Sequence, residues 1–102
     1  MVILDLSNKG LTEIPVIPED VTELDLSNNQ IIELKEGVFP DSLVILFLNN
    51  NKIVELRVGI FPPNLSYLNL EHNQIIELKE GVFPDTKNRK NRNCNFCIPL
   101  KG

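Results

Sequence analysis

With 102 residues, 42% of them hydrophobic, and a formal net charge of −4, the chain has the size and apolar content of one small domain. No apolar run approaches the ~20 residues of a membrane span, and the four clustered bases Lys87, Arg89, Lys90 and Arg92, with no interleaved aromatic, are a weak signal for nucleic acid, which is not the expected partner. One histidine, two cysteines and no glycine-rich phosphate loop leave little material for catalysis or for a bound cofactor, and neither is expected.

The order along the chain is set by repetition. Leu4-Asp5-Leu6-Ser7-Asn8-Lys9-Gly10-Leu11 returns 20 residues later as Leu24-Asp25-Leu26-Ser27-Asn28-Asn29-Gln30-Ile31. Steps of 22 residues then give Leu46-Phe47-Leu48-Asn49-Asn50-Asn51-Lys52-Ile53 and Leu68-Asn69-Leu70-Glu71-His72-Asn73-Gln74-Ile75. The stretch 29–41 is identical to 73–85. Self-similarity at a fixed period marks a stack of like units beginning near residues 1, 21, 43 and 65, each too small to bury its own apolar face.

Within each Leu-x-Leu the apolar residues alternate, which predicts a short strand with one side inward. Val21, Leu43 and Leu65 open the later units, and Met1 stands at the equivalent place in the first. Ile14, Leu34, Leu56 and Leu78 follow the strand, and Phe39, Phe61 and Phe83 form a structural phenylalanine column that closes each turn. Burying a Leu or Phe contributes roughly 1.5–3 kcal/mol, so these columns over four units can offset the entropy of ordering the chain. Asn29, Asn51 and Asn73 are polar members of an otherwise apolar turn. Each amide offers two donors and two acceptor lone pairs, so the three are expected to form a buried ladder that satisfies backbone groups at the bend. Pro15-Val16-Ile17-Pro18 has the outline of a Pro-x-x-Pro ligand. Its place in the first return arc makes a stiff connector the better reading.

The pattern L-x-x-L-x-L-x-x-N-x-I resembles the leucine-rich repeat family over about residues 1–86. Glu36-Gly37-Val38-Phe39 and Glu80-Gly81-Val82-Phe83 look like the convex segment of the subclass typical of extracellular receptors, whereas the 20-residue opening unit looks more like the short bacterial subclass. The resemblance implies an α/β-type solenoid, a right-handed superhelix with a concave parallel β-sheet and a mostly irregular or short-helical convex side. It also implies a non-catalytic module for protein–protein interaction. On that geometry the outward strand positions form columns: Ile3, Glu23, Ile45 and Tyr67; Asp5, Asp25, Phe47 and Asn69; Ser7, Ser27, Asn49 and Glu71. Ile45, Phe47 and Tyr67 are the apolar exceptions on a polar face. They are the expected partner-binding residues, with Glu23, Asp25, Asn49, Asn69 and Glu71 as the polar surround. Their packing merely against one another is the competing reading.

The register stops after Asp85. Residues 1–86 carry all 14 acids against five bases, a net of −9, and residues 87–102 carry five bases and no acid. This basic tail is expected to be a solvated, partly disordered segment or a C-terminal cap. Cys94-Asn95-Phe96-Cys97 is a C-x-x-C with too few further ligands for a zinc site in one chain. A local disulfide, a zinc site shared between two chains and free thiols all stay open. Met1 runs into the first strand without signal-peptide features, which favours a cytoplasmic location; a mature or truncated secreted piece is the alternative, in which case the sequon Asn64-Leu65-Ser66 becomes relevant. The functional alternatives are a piece of a longer repeat array, a homodimer formed through end strands, or an effector-type repeat without its catalytic domain.

Overall fold

The computed structural model describes residues 1–56 and 60–75, together with the backbone of 97–99. Its strands are β1 (Ile3–Asp5), β2 (Glu23–Asp25), β3 (Ile45–Phe47), β4 (Tyr67–Asn69) and β5 (Cys97–Pro99), in one sheet ordered β1-β2-β3-β4-β5. The first four strands are parallel and keep the sequence period as their register. Ile3 lies against Glu23, Glu23 against Ile45, and Ile45 against Tyr67. The fifth runs antiparallel to β4, with Cys97 opposite Asn69 and Pro99 opposite Tyr67. Fold and repetition agree with the solenoid expected from the spacing. The described return arcs consist of turns and bends, so the convex side is irregular there rather than helical.

Each strand is three residues long, but its ladder runs further. Leu6 N–H donates to Asp25 C=O, Leu26 to Phe47 and Leu48 to Asn69, all at 2.8 Å. At the strand starts, the amides of Thr22 and Glu23 share the carbonyl of Val2, and the same sharing recurs at Thr22 and Val44 in the next two steps. Because the same bonds recur at each step, the units stack without a slip in register.

The middle residue of each strand from β2 to β4 is fully buried: Leu24, Leu46 and Leu68. Leu26, Leu48, Leu70, Ile31, Ile53, Val21, Leu43 and Leu65 are buried with them, and Leu34 and Leu56 complete the core. Phe39 and Phe61 stack with centroids 6.3 Å apart and planes at 12°; Phe83 lies outside the described residues. Ile17 belongs to the same column. It sits four residues before Val21, as Phe39 does before Leu43 and Phe61 before Leu65. The proline after each of the three accepts an i+3 bond, Pro18 from Val21, Pro40 from Leu43 and Pro62 from Leu65. Pro15-Val16-Ile17-Pro18 is therefore a return arc with a buried anchor. Leu4, Leu6, Leu11 and Ile14 of the first unit are only partly buried.

The asparagines bind backward along the stack. Asn29 Nδ2 donates to the carbonyls of Leu26 in its own unit and Leu6 in the preceding one, both at 3.0 Å; its Oδ1 accepts the amides of Lys9 and Leu11. Asn51 does the same with Leu48, Leu26 and the Ile31 amide, and Asn73 with Leu70, Leu48 and the Ile53 amide. Asn29 and Asn51 are buried, and Asn73 is half-buried. Among the described residues no buried side-chain nitrogen or oxygen lacks a partner.

The residue before each of these positions takes the left-handed backbone conformation: Asn8, Asn28, Asn50 and His72 have φ between 56° and 59°. Asn tolerates that region, and a β-branched residue does not. His72 thus replaces Asn at a turn position.

Asn51→Ala removes the acceptor of the Ile31 amide and one of the two donors to each of the Leu26 and Leu48 carbonyls, which Asn29 and Asn73 still serve. At about 1–3 kcal/mol for the one buried amide left unpaired, a loss of at least ~1 kcal/mol is expected in chemical denaturation. Asn50→Gly, one residue away, should change stability by less than about 0.5 kcal/mol, because glycine adopts the same φ without strain.

Candidate functional site

The period-2 alternation that buries Leu24, Leu46 and Leu68 turns their neighbours to the other side of the sheet. Glu23, Asp25, Ile45, Phe47, Tyr67 and Asn69 all sit there half-buried, as do Asn49 and Glu71 just beyond β3 and β4. On β1 the corresponding Ile3 is 60% exposed.

Phe47 and Tyr67 come together: their ring centroids are 5.8 Å apart with planes at 59°. Ile45 pairs in register with Tyr67, so the three apolar residues form one patch across β3 and β4. Such a tilted aromatic pair contributes about 0.5–1.5 kcal/mol beyond its buried area, so the rings hold each other in place. Glu23 and Asp25 face Ile45 and Phe47 across the β2–β3 register.

One column has a structural duty that the sequence alone does not display. Asp5 Oδ1 accepts the amide of Ser7 at 2.9 Å and its hydroxyl at 2.6 Å, and Asp25 Oδ1 does the same for Ser27. Asn69 Oδ1 accepts the amide of Glu71 at 2.9 Å. A side-chain oxygen at this position therefore closes the turn that follows the strand. The Ser7 hydroxyl and amide hold the Asp5 carboxyl below its ordinary pKa, with Lys9 adding a smaller pull and desolvation opposing. Ser27, whose hydroxyl folds back onto Asp25 and whose unit has a neighbour on either side, is buried, whereas Ser7 makes the same bonds in the end unit and is half-buried. Phe47 is the exception in this column. It has no oxygen to close its turn, and it presents a ring instead.

Ile32 and Val54 are exposed, one residue past the buried isoleucines, and Ile76 lies outside the described residues. The side chains of Cys94 and Cys97 lie outside them too, and so do residues 87–93 of the basic run. Among the described residues no cluster of His, Cys, Asp or Glu has a metal-binding arrangement, and no helix is long and apolar enough to cross a membrane.

A family profile described as leucine rich repeat matches residues 19–75 and, one unit later, residues 41–88. The chain belongs to the leucine-rich repeat family. No curated protein matches it. Leucine-rich repeat domains serve generally as protein-interaction modules, with the sheet forming their concave face. In this leucine-rich repeat chain that face carries Phe47 and Tyr67.

Phe47→Asn restores the turn-closing oxygen found at Asp5, Asp25 and Asn69, whereas Phe47→Ala does not. Both lose the contact with Tyr67. The Asn variant should therefore be the more stable by about 1 kcal/mol, the net value of one hydrogen bond, in parallel denaturation curves.

Proposed function

We propose that this leucine-rich repeat domain is a non-catalytic binding module that captures a partner protein on the open sheet face. Ile45, Phe47 and Tyr67 provide the apolar anchor, and Glu23, Asp25, Asn49, Asn69 and Glu71 provide the polar surround. The observation that carries this reading is the residue at position 47. Three units place an oxygen-bearing side chain there and gain a closed turn. The third unit gives up that bond for a half-buried aromatic ring on the solvent side of the sheet. A local rule broken at one exposed position, with no gain to the core, is what a functional residue looks like. Aromatic side chains are also the commonest anchors of protein interfaces.

Panning a random peptide display library on the intact chain and on the Phe47→Ala, Tyr67→Ala double variant tests the reading. The variant should keep its circular dichroism spectrum and lose most of the recovered binders. Equal recovery on both proteins would discard the face as the binding surface.

A second reading, self-association, draws on the edges of the sheet. β5 lies along β4, while among the described residues β1 has a neighbouring strand on the β2 side alone. Exposed Met1, Val2 and Ile3 line that edge, and unpaired strand edges template pairing with another chain. We propose that β5 acts as a cover for the last repeat and that β1 is the edge available to a second copy. Sedimentation at rising concentration should show a monomer–dimer equilibrium that Ile3→Lys shifts to monomer. A single monomeric species at every concentration would remove this reading.

A further inference from the structure

We infer that the open face takes an arginine-bearing segment of a partner protein, the guanidinium stacking on the Phe47–Tyr67 pair while it bonds to the Asp25 carboxylate. This rests on the reading of that face as the binding surface, and adds the chemistry of what binds. Register fixes the first part. Asp25 and Phe47 are paired residues on neighbouring strands, and neighbouring strands lie about 4.8 Å apart. One side chain can therefore touch the ring and the carboxylate together. A guanidinium suits both at once: its plane stacks on an aromatic face within about 6 Å of the centroid, and its fork pairs with a carboxylate. Lysine offers a point charge without the plane.

The charge on the face points the same way. Its columns hold Asp5, Glu23, Asp25 and Glu71, and no Lys or Arg. Lys9 and Lys52 sit in the turns after the strands and Lys35 in a return arc. Among the described residues a cationic segment thus meets acids on the face without a neighbouring base to repel it. The carboxylate is also held in place. Both bonds from Ser27 fall on Asp25 Oδ1, which fixes the group before a partner arrives and lowers the entropy lost on binding.

The peptides recovered in the panning above decide between the possibilities, with a second variant, Glu23→Gln with Asp25→Asn. That variant keeps an oxygen at position 25 for the Ser27 turn, the arrangement Asn69 shows with Glu71, and circular dichroism checks its fold. Peptides lost on the aromatic variant should be enriched in Arg, and fluorescence anisotropy should show them binding about tenfold more weakly to the charge-neutral variant, as expected for two part-exposed charge pairs. Replacing the peptide's Arg with Lys should weaken binding to the intact chain. Face-dependent peptides that are neutral or acidic, or that bind the charge-neutral variant equally well, would overturn the inference and leave the face as the binding surface. Recovery of no face-dependent peptide would remove both.

Discussion

The amide of one asparagine in each unit after the first joins the stack together. Each unit is too short to own a core, and its Leu-x-Leu strand satisfies its backbone only against neighbours. Hydrophobic burial supplies the drive but has no direction, and apolar columns alone allow units to slide. Asn29, Asn51 and Asn73 supply the direction. Each reaches from the bend of its own unit to a carbonyl and an amide of the preceding one. Among the described residues the Leu11, Ile31 and Ile53 amides have no other acceptor, so a slip of one position would leave them unpaired, while the Leu26 and Leu48 carbonyls are each shared by two successive asparagines.

That arrangement separates two tasks. Residues facing the interior are constrained by volume, and Leu24, Leu46 and Leu68 are identical for that reason. The residues between them are constrained only by the turn that follows each strand. At Asp5, Asp25 and Asn69 the constraint is met by a side-chain oxygen. At Phe47 it is relaxed, at a cost of about one hydrogen bond, and the core below is unaffected. The sheet can therefore vary its open face one residue at a time, which is the physical basis of its use as a binding surface across the leucine-rich repeat family.

The apolar columns were legible in the sequence because burial and period act on the same residues: a Leu every 22 positions with an alternating neighbour permits few other folds. The open face was legible to the extent that register follows from period, which puts Ile45 beside Tyr67 and Asp25 beside Phe47. What local chemistry decides was not legible. Ile17 stands in the phenylalanine column, but the opening unit is two residues shorter ahead of it, so direct alignment hid the match. Ser27 folds back onto Asp25 and is buried between neighbouring units, which alternation does not foresee. The left-handed turn residues were visible only as a run of Asn at positions 8, 28 and 50. His72 stands at the same place in the fourth copy, and its φ of 58° matches theirs. The pairing of β5 with β4 has no periodic signal at all, since the repeat ends before it.

The backward reach of the asparagines has a consequence for how such a protein is made. During synthesis the amino-terminal turns emerge first, and each lies unfinished until the following 22 residues deliver the amide that locks it. Consolidation then proceeds as a ratchet, each newly emerged segment fastening the one synthesised just before. The same polarity makes the array easy to lengthen by gene duplication: a copied segment inserted in phase brings the fastener for its predecessor and presents its own empty sockets to the next.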